Sequence, residues 1–153
     1  MRLVAWSALL AVASGAMAAD VVDVPFFDAA GNRYRTSSLA TDLASRYGHK
    51  FEGARVLLVE TRSLASAEYE AQNKAVDSLG HGEIEQFRIL LVVACPSGEY
   101  KHGYHISPDV AQTLVSGETR FRVRLLSPAG VVQKEAFHPL LVEELRRWLS
   151  EAQ

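Results

Sequence analysis

Apolar residues fall along this chain in short solid runs separated by longer stripes with helical spacing, and that alternation predicts the elements in order. The stretch Arg55-Val-Leu-Leu-Val-Glu60 has an unbroken apolar centre at Val56–Val59, the pattern of a strand covered on both faces. A Ser-rich turn, Thr61-Arg-Ser-Leu-Ala-Ser66, follows. Ala65, Tyr69, Gln72, Val76 and Leu79 then recur at four, three, four and three, one stripe of a helix that Gly80-His-Gly82 is expected to end. Phe87 to Ala94 is a second apolar run, so strand, helix and strand predict a parallel βαβ crossover. Upstream, Val21–Phe27 and Arg33–Thr36 flank the turn Asp28-Ala-Ala-Gly31-Asn32 as a hairpin. Ser37 or Ser38 caps a helix with Leu39, Leu43 and Tyr47 on one face, stopped by Gly48.

Downstream, Pro96 to Tyr104 reads as a polar loop, and Ser107-Pro108-Asp109 opens a short helix with Ser as cap and Pro at its first position. Phe121 to Leu126 alternates, with Arg120, Arg122 and Arg124 on one face. The turn Ser127-Pro-Ala-Gly130 returns the chain through Val131–Phe137 as an antiparallel hairpin. A last helix begins at Pro139, with Leu141, Leu145 and Trp148 in line and acids early, arginines late.

Two features change this picture. Arg2 and the apolar stretch Leu3–Ala13, followed by Ala16-Met17-Ala18, form the pattern of a signal peptide over residues 1–18, with one domain over 19–153 and a periplasmic or secreted destination. The formal net charge of −2 gives no footprint for nucleic acid, and after cleavage no stable membrane insertion is expected.

Strand, helix, strand, helix, hairpin, helix over Arg55–Leu149 resembles the thioredoxin-like superfamily. Phe121–Val132 with Leu145-Arg-Arg-Trp-Leu149 resembles its hairpin and last helix, and Phe27-Asp-Ala-Ala-Gly31 with Ser38-Leu39 its N-terminal hairpin. The chain looks most like exported redoxin-like domains that lack redox cysteines. The resemblance implies an α/β three-layer sandwich: a central mixed sheet of parallel βαβ plus antiparallel hairpin, flanked by helices, with an N-terminal hairpin extension. It also places the redox C-x-x-C where this chain has Ser63-Leu-Ala-Ser66, and a cis-proline where Gly117-Glu-Thr-Arg120 runs straight into a strand. An unactivated hydroxyl forms no disulfide and ionises too high to replace a thiolate.

The expectation is therefore a non-catalytic binding or adaptor module without a cofactor, taking a protein or a small anionic ligand. Thr61, Arg62, Ser63, Ser66, Thr119 and Arg120 are its candidate binding residues, set against a plainly capped and solvated helix start. Cys95, the only cysteine, reads as a small buried hydrophobe or, alternatively, as the thiol of a one-cysteine peroxidase-like enzyme. His102 and His105 form an H-x-x-H that is weak evidence for a metal and more simply part of a polar loop. The arginine row either lines an open basic strip or pairs across the hairpin with Glu135 and neighbours.

Overall fold

The computed structural model describes residues 20–42, 52–101, 103–117 and 120–151. The elements are β1 (Pro25–Asp28), β2 (Arg33–Arg35), β3 (Arg55–Thr61), α1 (Ala67–Phe87), β4 (Ile89–Ala94), β5 (Tyr104–His105), α2 (Pro108–Leu114), β6 (Phe121–Leu126), β7 (Val132–Ala136) and α3 (Val142–Glu151). A helical turn at 39–42 follows β2 and buries Leu39; Leu43, Tyr47 and Gly48 lie outside the described residues.

The strands form one sheet in the order β2-β1-β5-β4-β3-β6-β7. β3 and β4 run parallel in the register Arg55↔Ile89 through Glu60↔Ala94, as the two apolar runs demand. β6 pairs antiparallel with the other edge of β3 and with β7. All seven residues of β3 are buried, as an interior strand flanked by β4 and β6 requires.

Strand alternation sends its side chains to opposite faces. Leu57 and Val59 pack with Tyr69, Val76 and Leu79 of α1 and Leu145 and Leu149 of α3. Val56 and Leu58 pack with Phe26, Tyr34, Leu39 and Ala111. The result is a three-layer α/β sandwich with an N-terminal hairpin.

Several boundaries differ from the sequence reading, each for a local reason. α1 starts at Ala67, so Ala65 is exposed and Leu64 takes the buried place before the cap. Gly80, at φ 74° and ψ 164°, is non-helical and breaks α1 where the sequence places its end. A second helical stretch continues past this kink to Phe87, because Ile84 and Phe87 regain the core, and closes at Arg88, in the left-handed region at φ 54°. Phe87 therefore belongs to the helix and β4 begins at Ile89.

Tyr104 and His105 leave the expected loop to form β5, pairing with Val92–Val93 and with Phe27–Asp28. Two residues thus join the N-terminal hairpin to the central sheet. The first strand is shorter than expected, and Val21 contributes only an isolated bridge to Val131. Asp28 holds the following turn, its carboxylate accepting from the N–H groups of Ala30 and Asn32 at 3.0 and 2.8 Å.

Ser107 has the extended backbone of a cap but gives α2 no side-chain hydrogen bond. α3 starts at Val142 rather than Pro139, because Leu140 is gripped by the buried Gln72: its N–H donates to Oε1 at 2.8 Å and its carbonyl accepts from Nε2 at 3.5 Å. Leu141 is left 67% exposed, and Leu145 with Leu149 forms the buried stripe. Gly130 is required where it stands: at φ 82°, a Cβ would lie 2.5 Å from the Val22 carbonyl oxygen.

Candidate functional site

The carboxyl ends of β3 and β4 meet at one edge of the sheet. There the chain leaves β3 through Arg62-Ser-Leu-Ala65 and enters α1 at Ser66. The turn closes on itself. Thr61 is buried and its hydroxyl donates to the Ser63 carbonyl at 3.0 Å, with Ser66 Oγ at 3.2 Å. Ser63 Oγ accepts from the Ala65 N–H at 3.1 Å, and Ser66 Oγ accepts from the Tyr69 N–H at 3.1 Å. Ser66 is thus an N-cap, satisfying an otherwise orphaned helix donor. The Thr61, Ser63 and Ser66 hydroxyls are all engaged between Thr61 and Tyr69.

Arg62 is exposed and its guanidinium donates to the Gly117 carbonyl, tying this turn to the segment before β6. Arg120 is exposed immediately before β6; Thr119 lies outside the described residues. Thr61, Arg62, Ser63 and Ser66 therefore share one turn, with the segment before β6 held beside them.

Cys95 follows β4 directly, so it sits beneath that same turn. It is 1% exposed. Its Sγ lies 3.6 Å from the Arg62 carbonyl oxygen, to which the thiol donates, and 3.2 Å from Ser97 Oγ. The small-hydrophobe reading fits this burial, while the hydroxyl and carbonyl neighbours give the thiol polar company. Tyr69 stands nearby; burial, more than the charge of Asp77, pushes its phenol above the ordinary range. Lys101 Nζ sits 5.9 Å above the Tyr69 ring centroid. Outside this layer, an open cavity of about 590 Å³ runs between Leu64–Ala65 and Gly98–Lys101.

The histidine pair resolves less simply. His105 stacks on Tyr100 with centroids 4.0 Å apart and planes within 9°. Its Nδ1 is buried with no hydrogen-bond partner, and desolvation lowers its pKa from 6.5 against a smaller upward pull from Asp28. His102 lies outside the described residues. Among the described residues no three His, Cys, Asp or Glu side chains converge as a metal site would require.

The arginine row corrects the expectation about its partner. Glu60, one residue before the turn and fully buried, accepts from Arg122 Nε and Nη2 at 2.7 Å each and from Arg124 Nε and Nη2 at 3.1 and 3.0 Å. Glu135, the expected partner, stands 3.9 Å from Arg122 Nη1 and serves only at the rim. The reason is register: Glu60 lies opposite Arg122 across β3 and β6, on the same face. Hydrogen bonding to Glu60, chiefly, raises the Arg122 pKa further above its ordinary value. Glu60 is the residue the sequence reading missed. Its signal was an acid directly after a run expected to be buried on both faces, with alternating arginines on a later strand.

No family model and no curated protein matches this chain. Solved structures do, at low identity. Peroxidoxin BcpB from Mycobacterium tuberculosis aligns over 88% of this chain and 94% of its own, at 11% identity and a TM-score of 0.57. The pneumococcal exposed lipoprotein thioredoxin from Streptococcus pneumoniae aligns over 85% and 99%, at 15% identity and 0.56. StoA from Bacillus subtilis aligns over 86% and 98%, at 12% and 0.56. With the sheet order and the helices on both faces, these likenesses establish that the chain has the thioredoxin-like fold.

Proposed function

We propose that this protein is a thioredoxin-like binding or adaptor module that acts outside the cytoplasm and has given up thiol–disulfide exchange. One observation carries the reading. At the turn where the superfamily resemblance places a redox pair, Ser66 spends its hydroxyl capping α1 and Ser63 spends its own on the Ala65 N–H, and the only thiol in the chain lies buried beside them. The partner surface is the carboxyl edge of the sheet: the Thr61–Ser66 turn, the loop from Pro96, and the segment before Phe121. A protein or small anionic ligand would meet Arg62 and Arg120 there, above the cavity beside Leu64 and Tyr100.

Residues 1–18 carry the export pattern, and no helix among the described residues is long and apolar enough to cross a membrane. Insulin reduction and refolding of a scrambled disulfide substrate test the loss of exchange; turnover comparable to an authentic thioredoxin refutes it. Photo-crosslinkers at Ala65 and Tyr100, against one at Gln133 on the far sheet edge, test the surface. Adducts at Gln133 alone would move it elsewhere.

A second reading, a single-cysteine redox enzyme, is kept by the place of Cys95 directly under this edge, with Ser97 Oγ 3.2 Å from its sulfur. A thiolate reacting below neutral pH supports it, and an unreactive thiol in the native protein removes it.

A further inference from the structure

We propose that the cleft between residues 21–24, the carboxyl end of α2 and β6 binds a small aliphatic monocarboxylate on the Arg122 and Arg124 guanidinia. The cleft holds about 390 Å³ and lies across the sheet from the α1–α3 layer, so this inference is independent of the edge surface. Val21, Val24, Thr113 and Leu114 form its walls.

Each guanidinium turns the same side, Nε and Nη2, toward Glu60. Arg124 Nη1 has no hydrogen bond among the described residues and is not sealed from solvent. Arg122 is more fully used: its Nη1 faces Glu135 as an ion pair at 3.9 Å, and its Nη2 also donates to the Leu114 carbonyl at 3.4 Å. Two fixed guanidinia thus share one buried carboxylate and line the cleft side by side, with Arg124 Nη1 the donor left unused and Arg122 adding its positive charge beside it, a setting that suits a carboxylate. Glu60 and the packing of β6 hold both side chains in place, so little ordering remains to be done on binding.

The acids nearby decide the charge of the ligand. Asp23 lines the cleft, but its carboxylate is taken by Arg35 Nε at 2.9 Å and by the Ser37 hydroxyl. Glu135 flanks Arg122, and Asp20 also acts on it electrostatically. With these carboxylates around the rim, a polyanion is repelled while a single charge is accommodated. Val21, Val24 and Leu114 give this largely polar cleft a few apolar contacts beside Thr113 and Ser116, enough for a short alkyl body behind the carboxylate.

The full chain is titrated with sodium butyrate at constant ionic strength, following thermal midpoint and the side-chain N–H resonances of Arg122 and Arg124, with butyramide and inorganic phosphate in parallel. The expected result is a saturable rise in midpoint and shift of the arginine resonances with butyrate, none with butyramide, and a weaker response to phosphate. Thr113→Trp, which fills the cleft from exposed helix and leaves Glu60 and both arginines intact, abolishes the response. Arg124→Lys weakens it severalfold. No saturable response, an equal response to butyramide, a stronger one to phosphate, or a response kept by Thr113→Trp overturns the assignment.

Discussion

Thr61 and Glu60 are neighbours at the end of β3, yet the two faces they serve are closed by opposite means. On the α1 side, Thr61, Ser63 and Ser66 finish the strand with neutral hydrogen bonds that never leave the turn. On the α2 side, Glu60 finishes it with an ionic cluster that reaches two residues of another strand. A neutral cap is a local device and loses little when one member is removed. A buried carboxylate is a global one, because its removal strands two guanidinia in low dielectric. The turn side is therefore the quiet one, and fixed charge lies on the opposite face of the sheet.

The contrast is broken most severely at Glu60. Glu60→Ala should cost about 3–5 kcal/mol in urea unfolding, since the partners stay buried without a counter-charge. Replacing the cluster together, with Glu60→Leu, Arg122→Leu and Arg124→Met, should recover most of that loss. A triple variant as damaged as Glu60→Ala would show that packing, not unpaired charge, dominates the site. Next comes Ser66→Ala, expected to lose about 1 kcal/mol as the N-cap of α1. Ser63→Ala should stay within about 0.5 kcal/mol, since it frees only an exposed N–H. Equal losses at the two serines would contradict the capping assignment.

The smallest effect is a pH dependence at β5. Burial lowers the His105 pKa below 6.5, so the unfolded chain takes up the proton more readily than the native one. His105 therefore contributes stability that is fully present above about pH 6.5 and is lost as pH falls toward its native pKa. His105→Phe should flatten that part of the stability profile while keeping the stack on Tyr100; an unchanged profile would assign the slope to other groups.

Much of this architecture was readable as pattern. The runs Val56–Val59 and Ile89–Ala94 can only be strands covered on both sides, and a 3.6-residue stripe between them leaves few alternatives to a crossover. What escaped was whatever depends on distant partners. Tyr104–His105 is too short to show a period and becomes a strand only because Phe27 and Val93 flank it. Leu141 falls on the helical stripe, yet Gln72, 68 residues earlier, holds Leu140 outside the helix and turns Leu141 to solvent. At the candidate site, the serine pair and the buried thiol were legible because they are local facts of spacing and composition. Pairing of Glu60 with the arginine row required the β3–β6 register, which no single segment encodes.

The most direct test of the loss of thiol exchange is the alkylation rate of Cys95 across pH, measured on the native chain beside the same chain in denaturant. A thiol 1% exposed beneath a closed turn should react far more slowly native than unfolded, at every pH from 5 to about 8.5, the ordinary cysteine pKa. Rapid native alkylation that titrates below neutrality would reveal an accessible thiolate and contradict the account.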